Sequence, residues 1–248
     1  MINFSKIPQN KLLGRLLRAP LKFIPRNVIL PILQGALRGK RWIVKSGVFG
    51  YWLGTYELEM QNIFKEKIKK GGIFFDIGAN VGFFTLIASL FVGKDGKVFS
   101  FEPFSKNIFF LKKHIKLNGC ENVIVMENAV SDKSGQALFL EGENNAMGKL
   151  SSQGNLSVNI IAIDDWIDRG WLPVPNYIKI DVEGAEINVL RGMKNLLEKN
   201  SISIFIGFES DTFNFLKNLG YKVYDLENKI SLGENDLKRG GDVIYVKE

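Results

Sequence analysis

The first chemically informative segment is the turn Asp76-Ile-Gly-Ala-Asn-Val-Gly82, where a carboxylate and two glycines follow an apolar run. Glycines between a strand and a helix let the backbone approach a ligand closely. A nicotinamide dinucleotide would favour GxGxxG, but Asn80 and Phe83 replace its second and third glycines. An acidic residue suits a donor with a sulfonium, an ammonium and no phosphate. The turn therefore predicts binding of S-adenosylmethionine rather than NAD.

A second carboxylate, Glu102, ends the next apolar run and precedes Pro103. It lies about 20 residues beyond the glycines, where an acidic side chain can accept hydrogen bonds from ribose hydroxyls. The turn around Asn128 and Ala129 is expected to border the adenine. The predicted donor contacts are Asp76, Gly78, Ala79, Asn80, Gly82, Phe83, Thr85, Glu102, Pro103, Asn128, Ala129 and Asp181.

Asp181 and Glu183 follow a further apolar run, residues 177–180. Lys179 and Asp181 have the same parity along a strand, so both side chains can face the same side. Because a sulfonium is already a good leaving group, residues beside such a donor need mainly to hold an acceptor in line with the methyl carbon and to help remove its proton. We assign Asp181 as the donor-site carboxylate or base, Glu183 as the second candidate, and Lys179 as an orienting cation.

Alternating strands and helices must position these turns. A doubly wound, Rossmann-like α/β sheet of seven strands with an antiparallel edge pair is predicted, and its ligands lie beyond the carboxyl ends of the strands. The predicted strands are 73–77, 97–101, 123–130, 177–180, 201–208, 221–226 and 242–246, with a β-rich excursion through 137–140 and 157–163. The predicted helices are 56–69, 81–91, 105–117, 186–197 and 212–219.

Four ordered motifs, FFDIGANVGFFTLIA, VFSFEP, NAVSD and YIKIDVEGAEINVLRGM, resemble those of the FkbM family of methyltransferases. The preceding GTYELEMQNIFKEKIKKGG resembles the lead-in helix of that family, so the resemblance covers residues 54 to about 210. It implies an S-adenosylmethionine-dependent O-methyltransferase that acts on hydroxyls of sugars, glycans or small natural products. Residues 54–248 are predicted to form this domain and residues 1–53 a basic, partly helical extension.

Other functions remain open at this point. Methylation of RNA fits the basic extension, but an Asn-Pro-Pro-Tyr-type element and a catalytic Cys-Pro pair are absent from the sequence, so nucleic acid is not the expected partner. A non-catalytic S-adenosylmethionine-binding or membrane-associated module would keep Asp76 and Glu102. A divalent cation between Asp181 and Glu209 would have only two carboxylates, so no metal is predicted. His114 is expected to pack rather than to act as a base.

The basic charge is concentrated near the start of the chain, where ten Lys and Arg residues precede the first acidic residue, Glu57. Leu12, Leu13, Leu16 and Leu17 recur at helical spacing and predict a short amphipathic helix. Its partner is either an anionic membrane or glycan surface, or the catalytic domain, on which the leucines would pack as a lid. The lone cysteine favours a cytoplasmic protein, with peripheral membrane association as an open alternative.

Overall fold

The computed structural model describes residues 25, 28–142, 148–226 and 230–247. The helix predicted over residues 12–17 lies outside these residues. The strands are β1 (Ile29–Pro31), β2 (Arg41–Ile43), β3 (Ile73–Ile77), β4 (Lys97–Phe101), β5 (Val123–Met126), β6 (Ala129–Val130), β7 (Gly135–Leu140), β8 (Lys149–Leu150), β9 (Leu156–Ile161), β10 (Tyr177–Ile180), β11 (Ser203–Gly207), β12 (Lys222–Asp225) and β13 (Asp242–Val246). The helices are α1 (Phe49–Leu53), α2 (Leu58–Lys67), α3 (Phe83–Val92), α4 (Ser105–Asn118), α5 (Ile163–Asp168), α6 (Glu186–Arg191), α7 (Lys194–Lys199) and α8 (Ser210–Asn218), with a 3-10 turn at Glu234–Arg239.

The central sheet has seven strands in the order β12-β13-β11-β10-β3-β4-β5. The five strands from β11 to β5 are parallel, whereas β13 runs antiparallel to both β11 and β12. The predicted doubly wound fold with an antiparallel edge pair is therefore confirmed. Because the parallel strands share one direction, the turns after β3, β4 and β10 meet at one edge of the sheet.

Alternation along β3 explains how both faces of the sheet are covered. Phe74 packs on one face with Phe64 of α2 and Leu86 of α3. Phe75 and Ile77 pack on the opposite face in the cluster that contains residues of α6, α7 and α8. Successive side chains of a strand point to opposite faces, so an almost continuous apolar run is what a strand covered on both sides requires.

Two predicted elements are divided in the structure. The strand predicted over 123–130 ends at Met126, and Ala129–Val130 pairs instead with β9 in a smaller sheet of order β6-β9-β7-β8. The helix predicted over 186–197 breaks at Gly192, where an added Cβ would lie only 1.9 Å from the Ser131 carbonyl oxygen. Both predictions were wrong in detail because contacts distant in sequence decide these positions.

The hairpin of β1 and β2 packs against α4 through His114. The His114 ring stacks on Trp42 with 3.7 Å between centroids, and its Nε2 accepts the Ile43 N–H over 3.2 Å. Its Nδ1 lies 2.7 Å from the Val81 carbonyl oxygen, and burial lowers the pKa of His114 to about 4. His114 has the packing role expected from the sequence. The division of the chain at residue 53 stays a prediction.

Candidate active site

A groove opens at the edge of the sheet where β3, β4 and β10 end. It encloses about 570 Å³ of empty space, its open mouth included. The side chains and backbone that line it are Ile77, Gly78, Asn80, Phe101, Glu102, Pro103, Asn107, Ala129, Val130, Phe139, Gly148, Lys149, Leu150, Asp181, Val182, Glu183 and Ala185. The groove therefore lies where ligands bind in open α/β sheets.

The turn after β3 approaches the turn after β10 at Gly78. The φ of Gly78 is 82°, and a Cβ there would lie 1.9 Å from the carbonyl oxygen of Asp181. Only glycine fits this position, because both its conformation and the clearance exclude a side chain. The first glycine of the motif thus brings the two turns together and leaves the groove between them.

Glu102 joins the first two turns by accepting two backbone hydrogen bonds. Its Oε2 accepts the Asn80 N–H over 2.8 Å, and its Oε1 accepts the Phe104 N–H over 2.9 Å. Burial raises the pKa of Glu102 to about 7, although both backbone hydrogen bonds favour the ionised form. The carboxylate is 5% exposed, and it lines the groove. It is consequently held rigidly at the wall of the groove.

Asp76 lies beneath the turn rather than in the groove wall. It is 1% exposed, and its Oδ2 accepts the Thr85 hydroxyl over 2.6 Å. The Ser100 hydroxyl in turn donates to Thr85 Oγ1 over 3.1 Å. Burial raises the pKa of Asp76, while Lys179 and the Thr85 hydrogen bond act in the opposite direction. Asp76 and Thr85 therefore support the turn from within the sheet.

The predicted donor contacts separate into two sets. Those in the groove wall are Gly78, Asn80, Glu102, Pro103, Ala129 and Asp181, together with the predicted catalytic residue Glu183. Those outside the wall are Asp76, Ala79, Gly82, Phe83, Thr85 and Asn128, together with Lys179. Phe83 packs face to face with Tyr51, with 4.9 Å between the ring centroids. No sequence pattern indicated Phe139, Lys149 and Leu150, which reach the wall through the pairing of β7 with β8.

Lys179 and Asp181 form an ion pair beside the groove. Lys179 Nζ donates to Asp181 Oδ2 over 2.8 Å and lies 4.8 Å from the centroid of the Phe84 ring. Lys179 is 3% exposed, and although burial lowers its pKa, the charges of Asp181, Glu57 and Asp76 outweigh that effect and raise it. Lys179 in turn lowers the pKa of Asp181, whose side chain is 45% exposed. Both groups are therefore charged at neutral pH.

Sequence reasoning missed the groups on the other side of Lys179, namely Tyr51, Tyr56, Glu57 and Asp242. The Tyr51 and Tyr56 rings meet edge to face at 4.7 Å, and the Tyr56 hydroxyl donates to the Glu57 carboxylate. Burial raises the pKa of Glu57 to about 7, helped by Asp242 and Asp181 and opposed by Lys179 and Tyr56. Burial likewise raises the pKa of Asp242. We call Glu57, Asp181 and Asp242, with Lys179 among them, the acidic cluster.

Glu57 has an unusual backbone conformation for its position at the start of α2. Its φ of 42° is in the left-handed region, which a residue with a side chain rarely adopts. In the sequence it resembles an ordinary acid at a helix N-terminus, where the helix dipole favours it. Such strain often accompanies functional sites. The sequence feature that could have indicated Glu57 as a site residue is the Tyr56-Glu57 pair in the lead-in motif.

The loop after β10 also has a constrained backbone. Glu183 has a φ of 56°, and burial, Asp181 and Glu186 raise its pKa. Glu186 Oε1 accepts the N–H groups of Val182 and Gly184 over 3.3 and 3.2 Å. Glu209 is exposed at the start of α8. Within the part of the chain that the structure describes, no group of three or more His, Cys, Asp or Glu side chains could hold a metal ion.

Comparison with known proteins identifies the family. The model of the FkbM methyltransferase domain matches residues 76–227. The chain belongs to the FkbM family of methyltransferases. S-adenosylmethionine is the cofactor of this family, so the predicted cofactor is confirmed.

Individual proteins that are similar to this chain share between 14% and 30% of their residues with it over the compared regions. The hexuronic acid methyltransferase AglP of Haloferax volcanii is 30% identical over 144 residues, which is 57% of this chain and 58% of that protein. Methyltransferase FkbM of Methylobacillus flagellatus KT is 14% identical in structure comparison, with a TM-score of 0.48, over 82% of this chain and 56% of that one. Precorrin-6y C5,15-methyltransferase of Geobacter metallireducens GS-15 is 17% identical, with a TM-score of 0.48, over 77% and 88%. This FkbM chain thus matches just over half the length of the first two.

Among residues 25, 28–142, 148–226 and 230–247, no helix has both the length and the apolar character needed to cross a bilayer.

Proposed function

We propose that this protein transfers the methyl group of S-adenosylmethionine to a hydroxyl of a sugar, glycan or related small acceptor. The observation that carries the proposal is the position of Asp181, which lines the groove and also belongs to the acidic cluster. A donor in the groove would then have its methyl group next to a set of carboxylates and tyrosines. The relationship to a hexuronic acid methyltransferase supports a sugar acceptor.

The donor half of the site is the groove between the turns after β3, β4 and β10. Glu102 would accept hydrogen bonds from the ribose hydroxyls, because its carboxylate is fixed by Asn80 and Phe104 and faces the groove. Pro103 and Ala129 would border the adenine. These residues match a donor that has no phosphate, since Glu102 would repel one.

The acceptor half is the acidic cluster. Transfer forms a carbon–oxygen bond and breaks the carbon–sulfur bond, whose electron pair goes to sulfur and leaves S-adenosylhomocysteine. The acceptor proton needs a base with a pKa near the working pH, and Glu57 meets that requirement with a pKa of about 7. Asp181, which the sequence favoured as the base, has its pKa lowered by Lys179 and is better suited to hold the acceptor hydroxyl. Glu183 is the second candidate for the base.

Positioning of the acceptor contributes the larger part of the rate enhancement in this mechanism. Holding the acceptor oxygen in line with the methyl carbon can supply about 7 to 11 kcal/mol, and a base a further 10²- to 10⁴-fold. Lys179 is a positioning residue, because its ion pair fixes Asp181. The acidic cluster disfavours RNA as the acceptor, since a phosphate backbone would face three carboxylates and one paired lysine.

The test is methyl transfer from a tritiated donor to three acceptor classes, namely neutral glycosides, hexuronic acid glycosides and RNA oligonucleotides. We expect label on a glycoside and a methoxy signal in the nuclear magnetic resonance spectrum of the product. Label on RNA alone, or on nitrogen or carbon of the acceptor, would contradict the proposal. A Glu102→Ala variant serves as the donor-site control and should label the same acceptor more slowly at limiting donor.

A further inference from the structure

An apolar groove with a basic rim lies along α4 and the β1–β2 hairpin, separate from the candidate active site. It encloses about 1040 Å³ of empty space, its open mouth included. Two of its apolar side chains are unusually exposed, Phe109 at 53% and Ile29 at 46%. The residues that line this α4 groove are Ile29, Arg41, Ile43, Phe109, Phe110, Lys113, Lys116 and Leu117.

The charged residues that line the α4 groove are all basic. Phe109, Lys113 and Lys116 lie at spacings of four and three residues and so share one face of α4, which contains no acidic residue. Lys113 Nζ lies 4.0 Å from the centroid of the Phe109 ring. Lys106 and Lys112 pair with Glu141 and Glu127. In contrast, among the described residues Arg41, Lys113 and Lys116 have no acidic partner, so the groove keeps three uncompensated cations.

The first strand of the fold begins at this same groove. Ile29 is the first residue of β1 and lines the groove. The residues before it contain no Asp or Glu, and their basic residues are Lys6, Lys11, Arg15, Arg18, Lys22 and Arg26. The apolar positions Leu12, Leu13, Leu16 and Leu17 belong to this stretch. The sequence that leads into β1 therefore combines apolar and basic residues, as does the lining of the α4 groove.

We propose that the α4 groove docks the protein on an anionic lipid bilayer, with Phe109 and Ile29 entering the interface and Arg41, Lys113 and Lys116 contacting lipid phosphates. An apolar surface with a basic rim matches both layers of such an interface. A purely polyanionic partner would leave the exposed phenylalanine and isoleucine in water. The basic N-terminal stretch is a less suitable occupant, because its cations would meet those of the groove.

The test is co-sedimentation of the full-length chain with vesicles of phosphatidylcholine alone and of phosphatidylcholine with phosphatidylglycerol. Each basic residue at an anionic surface contributes about 1 kcal/mol, and a reversal removes that attraction and adds repulsion. We therefore expect Lys113→Glu/Lys116→Glu to lower the partition coefficient at least tenfold. The control Lys65→Glu/Lys69→Glu, which reverses two exposed lysines elsewhere, should lower it much less. Equal loss in both variants, or no binding of wild type to anionic vesicles, overturns the proposal.

A label at position 109 distinguishes the bilayer from the N-terminal stretch as the occupant. Cys120 is the single cysteine, so Phe109→Cys in a Cys120→Ser background accepts one environment-sensitive fluorophore. We expect a water-like emission in buffer and a blue shift when phosphatidylglycerol vesicles are added. Emission that is already blue-shifted without vesicles and unchanged by them places the chain's own N-terminal stretch in the groove and overturns the proposal. The unchanged far-ultraviolet circular dichroism of each variant verifies that it is folded.

Discussion

Glu57→Gln should lower kcat by about 10²- to 10⁴-fold with the glycoside that the labelling assay selects, the usual contribution of a general base. The amide keeps the size of the carboxylate and its capacity to accept the Tyr56 hydroxyl, but it cannot take a proton. Donor binding should change little, because Glu57 is absent from the groove wall. The loss should therefore appear in kcat at saturating donor rather than in the KM for the donor.

The dependence of kcat on pH tests whether Glu57 is the base. A base must be ionised to act, and the pKa of Glu57 is about 7, so the wild-type rate should rise with pH through about 7 and then level off. Glu102 has a pKa of about 7 as well, so the profile must be measured at saturating donor, where a titration that weakens donor binding has no effect. In Glu57→Gln the rise should disappear.

Asp242→Asn provides a second test of Glu57 as the base. Asp242 raises the pKa of Glu57, as does Asp181, whereas Lys179 and the Tyr56 hydrogen bond lower it. Removing the charge of Asp242 should therefore move the midpoint of the wild-type profile to lower pH. A profile that keeps its midpoint in Asp242→Asn, or a full rise with pH in Glu57→Gln, would refute Glu57 as the base.

Lys179→Met should lower the free energy of unfolding at neutral pH by about 3 kcal/mol. Removing one partner of a buried ion pair typically costs 3–5 kcal/mol, and the lower end applies because Asp181 is 45% exposed. The variant leaves Asp76, which is the partner of Lys179 in the β3–β10 register, without the nearby cation. Chemical denaturation of wild type and variant measures the difference.

The stability lost in Lys179→Met should depend on pH in one direction. Lys179 lowers the pKa of Asp181, so the stability that the pair contributes is present above the unfolded pKa and lost as pH falls through the folded one. The gap between wild type and Lys179→Met should therefore narrow in acid. Lys194→Met, which removes an exposed pair with Glu198, should cost less than about 0.5 kcal/mol. Equal losses in the two variants would mean that the buried pair does not stabilise the fold.

The sequence predicted best those strands that are buried on both faces. The bounds of β3, β4, β10 and β13 coincide with the predicted ones because each is an apolar run with a turn residue or glycine next to it. Helices α3 and α4 agree to within two residues, since capping glycines mark where they end. Local pattern and tertiary burial point to the same structure at these positions.

Contacts between distant residues were beyond the reach of sequence patterns. The requirement for glycine at position 192, between two helices, comes from the Ser131 carbonyl that lies against it, and the helical pattern does not reveal that contact. Phe83 occupies the last glycine position of a dinucleotide motif, yet it packs on Tyr51. Glu57 lies in the lead-in motif at the beginning of a helix and Asp242 at the beginning of a strand, and only the fold brings their charges to Lys179. The sequence therefore predicted Asp181 and Lys179 of the acceptor half, whereas Glu57 and Asp242 were not predictable from spacing.

The most direct test of a site with separate donor and acceptor halves is calorimetry with S-adenosylhomocysteine on three proteins. Wild type and Glu57→Gln should bind it equally, whereas Glu102→Ala should bind more weakly by about 1 to 3 kcal/mol, the cost of removing one partner of a buried hydrogen bond. NAD should give no heat with any of them. Equal binding by wild type and Glu102→Ala, loss of binding in Glu57→Gln, or a response to NAD without one to S-adenosylhomocysteine would contradict this division of the site.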